Sequence, residues 1–327
     1  MDHYLPVVHS TFAAEPLVAA LWPDYFLARP TACHLLGSGF NDHYFIATPD
    51  GDFVLRVYHH GWRTPEDVAY ELAALTQLEA CGVPVCAPVV RRDGTYQCTI
   101  PALEGPRLAA LFPFAAGHVP QAANPEENRI CARTMALIHR HSDSFACEHA
   151  RSPLDLEHLI SRPLALLLPF LGHRPADAAL VQRVAGALHA GLETQVGGLE
   201  WGYCHGDFHG GNVRLDADGT LRIFDFDCCG PGWRAYDLAV CRLWCATEEA
   251  WETFCAGYEE VRPLPEATRT AIPWFIVARQ FWWIGYHVRA WLLKGGNSFL
   301  DDRFLDHVLG VLRERLGKHL PELAIPQ

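Results

Sequence analysis

The 327-residue sequence predicts an α+β fold in two lobes, a small β-rich lobe over residues 1–100 and a larger, mainly helical lobe over residues 101–327. Three observations predict it. Short alternating apolar runs broken by turn chemistry fill the first hundred positions, long helical periods follow Pro101, and one strand pair interrupts those helices near residue 220.

In the first lobe, Leu35-Leu36 runs into Gly37-Ser38-Gly39, which reads as a flexible loop between strands. Tyr44 to Ala47 and Phe53 to Tyr58 flank Pro49-Asp50-Gly51-Asp52, so a hairpin is expected with Asp-Gly supplying the reversal. A second turn, Arg92-Asp93-Gly94, separates strands expected at Ala87–Val90 and Tyr96–Ile100. Between the hairpins lies a helix from about Thr64 to Ala80, with Thr64 as N-cap, Pro65 at the first position, and Glu66 and Asp67 at the positive end of the dipole. Its inward stripe is Val68, Leu72, Leu75 and Leu78, and Glu71 falls on that stripe. A carboxylate there needs a partner for its charge.

The second lobe opens with helices at Asn128–His141 and Ala176–Thr194. Val213-Arg214-Leu215, the turn Asp216-Ala217-Asp218-Gly219 and Leu221 to Phe224 then form a hairpin, and helices return from Tyr236. The apolar stretch Ile272–Leu293 is interrupted by Arg279, Gln280, His287 and Arg289, so it reads as a buried helix and not a membrane span. Its aromatic residues pack at helical spacing, with an edge such as Trp282 or Tyr286 turned to a cleft.

Charge narrows the function classes. With 26 Lys+Arg against 38 Asp+Glu the formal charge is −12, and no long basic run is present, which argues against a nucleic-acid surface. The first thirty residues carry no secretory signal pattern, so the expected location is cytoplasmic and the twelve cysteines are expected to stay reduced, as small core residues.

The chemistry is concentrated in His205-Gly206-Asp207-Phe208-His209-Gly210-Gly211-Asn212 and, after the hairpin, Asp225-Phe226-Asp227. A tight hairpin brings Asn212 and Asp225 to the same end of the ladder. An amide oxygen beside a carboxylate makes a pair of hard ligands suited to Mg²⁺. Asp207 faces the same cleft as a separate carboxylate, Asp227 extends the strand end, and His205 and His209 hold the loop. Phosphoryl transfer needs this arrangement, because it depends on positioned metal and phosphates and on a carboxylate to take the attacking hydroxyl's proton.

This segment resembles the catalytic core of the aminoglycoside phosphotransferase and choline kinase family, a branch of the protein-kinase-like fold, with its pattern H-G-D-x-x-x-x-N followed by a strand ending in D. The resemblance implies Asp207 as the base and Asn212 and Asp225 as metal ligands. It also implies that Arg56 in Val54-Leu55-Arg56-Val57 pairs with Glu71 to hold nucleotide phosphates, Arg standing where Lys is commoner. Gly37-Ser38-Gly39 resembles the nucleotide-covering loop, and Asp237 in Tyr236-Asp237-Leu238 resembles the residue that braces the catalytic loop.

The function so implied is ATP-dependent, or GTP-dependent, transfer of the γ-phosphate with Mg²⁺ to a hydroxyl of a small molecule such as an antibiotic, sugar or amino alcohol. Net acidity favours a cationic acceptor. The alternatives are a Ser/Thr protein kinase of the same fold, a nucleotide-binding pseudokinase, and a metal-dependent hydrolase built on His205, Asp207 and His209. Neither a nucleic acid nor a membrane is an expected partner.

Overall fold

The computed structural model describes residues 5–296 and 300–324. Helix α1 (Ala14–Leu21) precedes strands β1 (Ala32–Ser38), β2 (Asn41–Thr48) and β3 (Gly51–Tyr58), and α2 (Pro65–Ala80), β4 (Gln97–Ile100) and β5 (Arg107–Pro113) follow. The strands form one antiparallel sheet in the order β1-β2-β3-β5-β4. Side chains alternate across a strand, and β3 uses both faces. Phe53, Leu55 and Val57 join the core that includes Leu17 and Val18 of α1, whereas Val54 and Arg56 line a cavity on the opposite face. That alternation is what turns a buried arginine towards the cleft.

The hairpin between β2 and β3 is present, but Thr48 pairs with Gly51, so the two loop residues are Pro49 and Asp50, not Asp50 and Gly51. Residues 87–90 form no strand. Pro88 has no N–H to donate, and among these residues only Val89 bonds to β5, through Leu111 O at 2.8 Å. Strand β4 pairs with β5 instead, which carries the sheet past residue 100, where the sequence sets the lobe boundary, to Pro113.

Helix α2 begins as expected. Thr64 Oγ1 accepts a hydrogen bond from Asp67 N and the Asp67 carboxylate accepts one from Thr64 N, a reciprocal cap that satisfies two of the free donors of the first turn. Val68, Glu71, Leu72, Leu75 and Leu78 are all buried along its inner face.

The helical part contains α3 (Pro125–Ser142), α4 (Arg162–Leu167), α5 (Pro175–Glu193), the strands β6 (Trp201–Cys204), β7 (Val213–Leu215), β8 (Leu221–Ile223) and β9 (Gly230–Trp233), then α6 (Arg234–Trp244), α7 (Glu248–Glu259), α8 (Glu266–Leu293) and α9 (Asp302–His319). β7 and β8 form the expected hairpin. Gly230-Pro231-Gly232-Trp233, expected from the resemblance to be a short loop in place of a protein kinase's activation segment, is β9 and pairs antiparallel with β6. Helix α8 is the spine of this part. It approaches the short α4 so closely that a Cβ on Gly285 would lie 2.6 Å from Pro163 Cα, and it buries Arg279 and Gln280 with its apolar face. Among the described residues no helix is long and apolar enough to cross a membrane.

Candidate functional site

The His205–Asn212 loop leaves β6 with its backbone tied to the first turn of α6. The Asp237 carboxylate accepts the N–H groups of His205 and Gly206, each at 2.7 Å, and His139 Nε2 lies 3.1 Å from it. Burial would raise the Asp237 pKa, but the His139 hydrogen bond and the backbone donor hold it below the usual carboxylate value. Gly206 has φ +80°, and a side chain there would meet Cys228 O at 2.2 Å, so this turn admits only glycine. Phe208 anchors the loop in the core. The histidines serve the loop as expected: His205 Nδ1 accepts the Asp207 N–H at 3.2 Å and His209 Nδ1 that of Gly211 at 3.0 Å.

Asp207 keeps 22% of its side chain exposed. Its Oδ1 is ion-paired with Arg279 of α8, whose guanidinium also donates to Gly206 O at 3.0 Å and the Tyr236 hydroxyl at 2.7 Å. Burial opposes ionisation of Asp207, yet Arg279, with His209, depresses its pKa below the ordinary value. The Asn212 amide nitrogen donates to Asp207 O at 3.0 Å and lies 3.5 Å from Oδ2, so it is the amide carbonyl oxygen that is left to act as a ligand.

The β7–β8 hairpin carries Asn212 and Asp225 to the same end, where Phe224 N donates to Asn212 O at 3.0 Å. Asp225 then turns sharply, at φ +62°, the one non-glycine residue with positive φ among the described residues. Left-handed geometry is strained for such a residue, by about 1–2 kcal/mol, and it aims a carboxylate that is 38% exposed into the cleft.

Arg56 binds two carboxylates through separate nitrogens: Nη1 to Glu71 at 2.8 Å and Nη2 to Asp225 at 3.1 Å. Tyr58 completes the Glu71 site by donating to Oε2 at 3.0 Å. Burial works against the charge on Arg56, but Asp225 and Glu71 outweigh it and raise its pKa, while burial pushes Glu71 up against the pull of Arg56. Arg56, Glu71 and Asp225, with His43 and Arg214, contribute the polar groups of a cavity of about 230 Å³ whose apolar walls include Leu36, Val54, Phe112 and Phe224. An apolar slot ending in fixed charges suits a flat base joined to an anionic tail.

Gly37, Ser38 and Gly39 do not join this group. Gly37 and Ser38 end β1, Ser38 Oγ donates to Asp42 at 2.6 Å, and no hydrogen bond among the described residues connects the three to Arg56, Glu71 or Asp225. Asp227 extends the strand end as expected, but it is buried. Its carboxylate accepts from Trp62 Nε1 at 2.9 Å and Arg63 Nε at 2.8 Å, locking the entry to α2 against the segment after β8. Sequence reasoning missed Arg279, Arg63 and the strand end at Phe112. The signal for Arg279 was available: a charged residue on the buried side of an apolar helix requires a buried partner.

Fold and site geometry together define a protein of the kinase-like phosphotransferase class. The chain belongs to the phosphotransferase enzyme family, whose model matches residues 33–270. It is 37% identical to an uncharacterized protein of Deinococcus radiodurans, over 96% of this chain and 93% of that one. It is 30% identical to a homoserine kinase of Caulobacter sp. (strain K31), over 80% of this chain and 81% of that one. Among solved structures, a microcompartment-associated aminopropanol kinase superposes with a TM-score of 0.77 at 23% identity, covering 95% of this chain and 99% of that one. The amicoumacin kinase hAmiN, in complex with AMP-PNP and Ca²⁺, superposes with a TM-score of 0.73 at 20% identity, covering 96% of each.

Proposed function

We propose that the protein transfers the γ-phosphate of ATP to a hydroxyl group of a small molecule. The observation that carries this reading is the convergence of Asp207, Asn212 and Asp225 on one cleft through the loop and the β7–β8 hairpin, with Arg56 reaching Asp225 from the sheet. Relatives and structural neighbours named as kinases of homoserine, aminopropanol and amicoumacin support a small acceptor.

Asn212 and Asp225 would hold Mg²⁺: one amide oxygen without a donor among the described residues and one carboxylate that keeps 38% exposure beside Arg56 are the hard-oxygen set that this ion takes. When bound, the ion supplies charge neutralisation at the phosphates. Arg56, whose fork is held by Glu71 and Asp225, would offer a remaining N–H donor to a phosphate oxygen. Asp207 accepts the proton of the acceptor hydroxyl as that oxygen bonds to the γ-phosphorus and the bond to the leaving diphosphate breaks. A base held ionised by Arg279 is weak, which suits a loose transition state in which little proton removal is needed before the phosphorus–oxygen bond to the leaving group has broken.

The test is Mg²⁺-dependent consumption of ATP, with GTP in parallel, by the purified protein against hydroxylated small molecules. Asp207→Ala serves as the blank and should lose at least about 100-fold in turnover. Turnover that survives in that variant would remove Asp207 as base. Phosphate appearing only in protein would transfer the reading to a Ser/Thr protein kinase, and nucleotide binding without any transfer would transfer it to a pseudokinase.

A further inference from the structure

A second cavity, of about 420 Å³, shares no lining residue with the one beside Arg56. The segment after β8 separates them, Asp225 lining one and Cys228 and Cys229 the other. Asp207 does not line this second cavity, but two of its immediate neighbours, Gly206 and Arg279, touch the wall. Cys228, in its wall, packs its carbonyl against Gly206, and Trp282, also in its wall, is covered at 3.9 Å by the guanidinium of Arg279, the partner of Asp207.

The lining is strongly cationic. It holds Arg63, Arg151, Arg162 and Arg289 against a single carboxylate, Asp67. The side chains of Arg63 and Arg151 are largely enclosed, with 10% and 3% exposed. Arg63 is neutralised by Asp227, but Arg151 is spent on carbonyl oxygens of Cys229, Asp67 and Asp227, with the Asp67 carboxylate 3.9 Å away. Arg289 donates only to the carbonyls of Gly61 and Trp62 and has no carboxylate partner among the described residues. Arg162 engages Glu157 through Nε alone, at 3.3 Å.

The remaining guanidinium donors of Arg162 and Arg289 therefore have no protein acceptor among the described residues. His158, between these cations, is pushed to about 3 by burial and by all four arginines, so it is neutral and its Nε2 accepts the Trp282 indole N–H at 3.0 Å. Arg162, with 60% of its side chain exposed, and Arg289 are the solvent-facing cations of this wall, free to meet an incoming ligand, and an anion bound there would offset the like charges gathered in one concave surface.

Resting on the phosphotransferase reading, we propose that this cavity is the acceptor subsite for an anionic group, a carboxylate or a phosphate carried by a small hydroxylated molecule, bound by Arg162 and Arg289 above Arg151, with the hydroxyl presented to Asp207. The net charge of −12 pointed to a cationic acceptor. Local charge reverses that expectation, because the field in a cleft follows its own walls and not the whole chain.

The experiment follows tryptophan fluorescence of the full chain, without nucleotide and at fixed ionic strength. The titrants are two matched pairs, 4-hydroxybutyrate against 4-hydroxybutyramide and glycerol 3-phosphate against glycerol. The anionic member of one pair should bind at least about 10-fold more tightly than its neutral partner, and the pair that discriminates identifies carboxylate or phosphate. Arg162→Gln with Arg289→Gln should abolish the preference and Arg162→Lys with Arg289→Lys should restore most of it, which separates charge from folding. In the Mg²⁺·ATP assay the KM of an anionic acceptor should rise in the glutamine variant about tenfold more than that of its neutral partner. No preference in either pair, or a preference that survives the glutamine variant, overturns the proposal. Turnover confined to neutral or cationic acceptors overturns it while leaving the phosphotransferase reading intact. Anion binding that needs these arginines, with no transfer to any acceptor, supports the site and overturns the phosphotransferase reading.

Discussion

Asp207 and Arg279 lie 72 residues apart in sequence and form an ion pair at the floor of the cleft, the arginine braced by Gly206 O, the Tyr236 hydroxyl and the face of Trp282. The pair fixes both the direction of the Asp207 carboxylate and its ionisation.

Arg279→Gln should move the acid limb of the kcat/KM profile to higher pH. The sign follows from the depressed pKa: with Arg279 present, Asp207 stays ionised below the ordinary aspartate range, and without it the carboxylate protonates at higher pH. Turnover near pH 7 should fall about 10-fold through lost orientation, and the relative loss should deepen as pH drops. An acid limb that stays in place would separate Arg279 from the ionisation of Asp207.

Arg56 tests the nucleotide side. Because its fork holds Glu71 and Asp225 with different nitrogens, Arg56→Ala frees two carboxylates at once, one of them fully buried. The nucleotide KM should rise about 10- to 100-fold, on the scale of a charge-assisted hydrogen bond, and stability should fall by about 3–5 kcal/mol. Arg56→Lys keeps the charge but not the planar fork, so it should fall between wild type and Ala in both respects. Urea unfolding and nucleotide kinetics on the two variants check this. Equal defects in Ala and Lys would show that the fork matters and the charge does not.

These two arginines show what the sequence could and could not disclose. Glu71 was legible because helical periodicity is a local rule that put it on an inward face, whereas Arg56 came from the resemblance of its strand position to that of the kinase family. Asn212 and Asp225 were legible because a short hairpin leaves little freedom in where its ends meet. Arg279 belongs to a helix whose approach to the loop is set by packing, so its partner could not be read from spacing. Strand β5 was missed for a related reason: Leu108-Ala109-Ala110-Leu111 is an apolar run that local pattern leaves ambiguous, and only pairing with β3 and β4 makes it a strand. For β9 the same resemblance implied a loop, yet Gly230 and Gly232 fit where the chain passes tightly beside Ser152 and Leu154.

Asp237 offers a stability test. Its carboxylate, with pKa lowered by His139 and the backbone donor against the cost of burial, contributes stability that is present above the unfolded value of about 3.9 and lost as pH falls towards the folded one. Asp237→Asn keeps the shape but cannot accept the His205 and Gly206 N–H bonds on both atoms. It should lose about 1.5–3 kcal/mol at pH 7 and show a shallower loss of stability between pH 5 and 3 than the parent. Parallel curves for the two proteins over that interval would contradict the role of the carboxylate charge.

Phe40 tests how the β1–β2 turn communicates with the helical part. The residue follows the three that resemble a nucleotide-covering loop, and its ring meets Tyr286 at 4.3 Å, His287 at 5.1 Å and Trp62 at 5.7 Å, while Lys294 Nζ donates to Gly39 O at 2.5 Å. The turn is thus held against α8 by aromatic contacts and one hydrogen bond. Aromatic pairs of this kind are worth about 0.5–1.5 kcal/mol each. If the role implied by the resemblance holds, Phe40→Ala should leave the core intact and raise the nucleotide dissociation rate about 5- to 10-fold, since the turn would spend more time away from α8. Lys294→Ala should act in the same direction with a smaller effect, because its ammonium is partly solvated. Stopped-flow release of a fluorescent ATP analogue measures both. Release rates unchanged in both variants would mean that these contacts brace the turn without governing escape of the nucleotide.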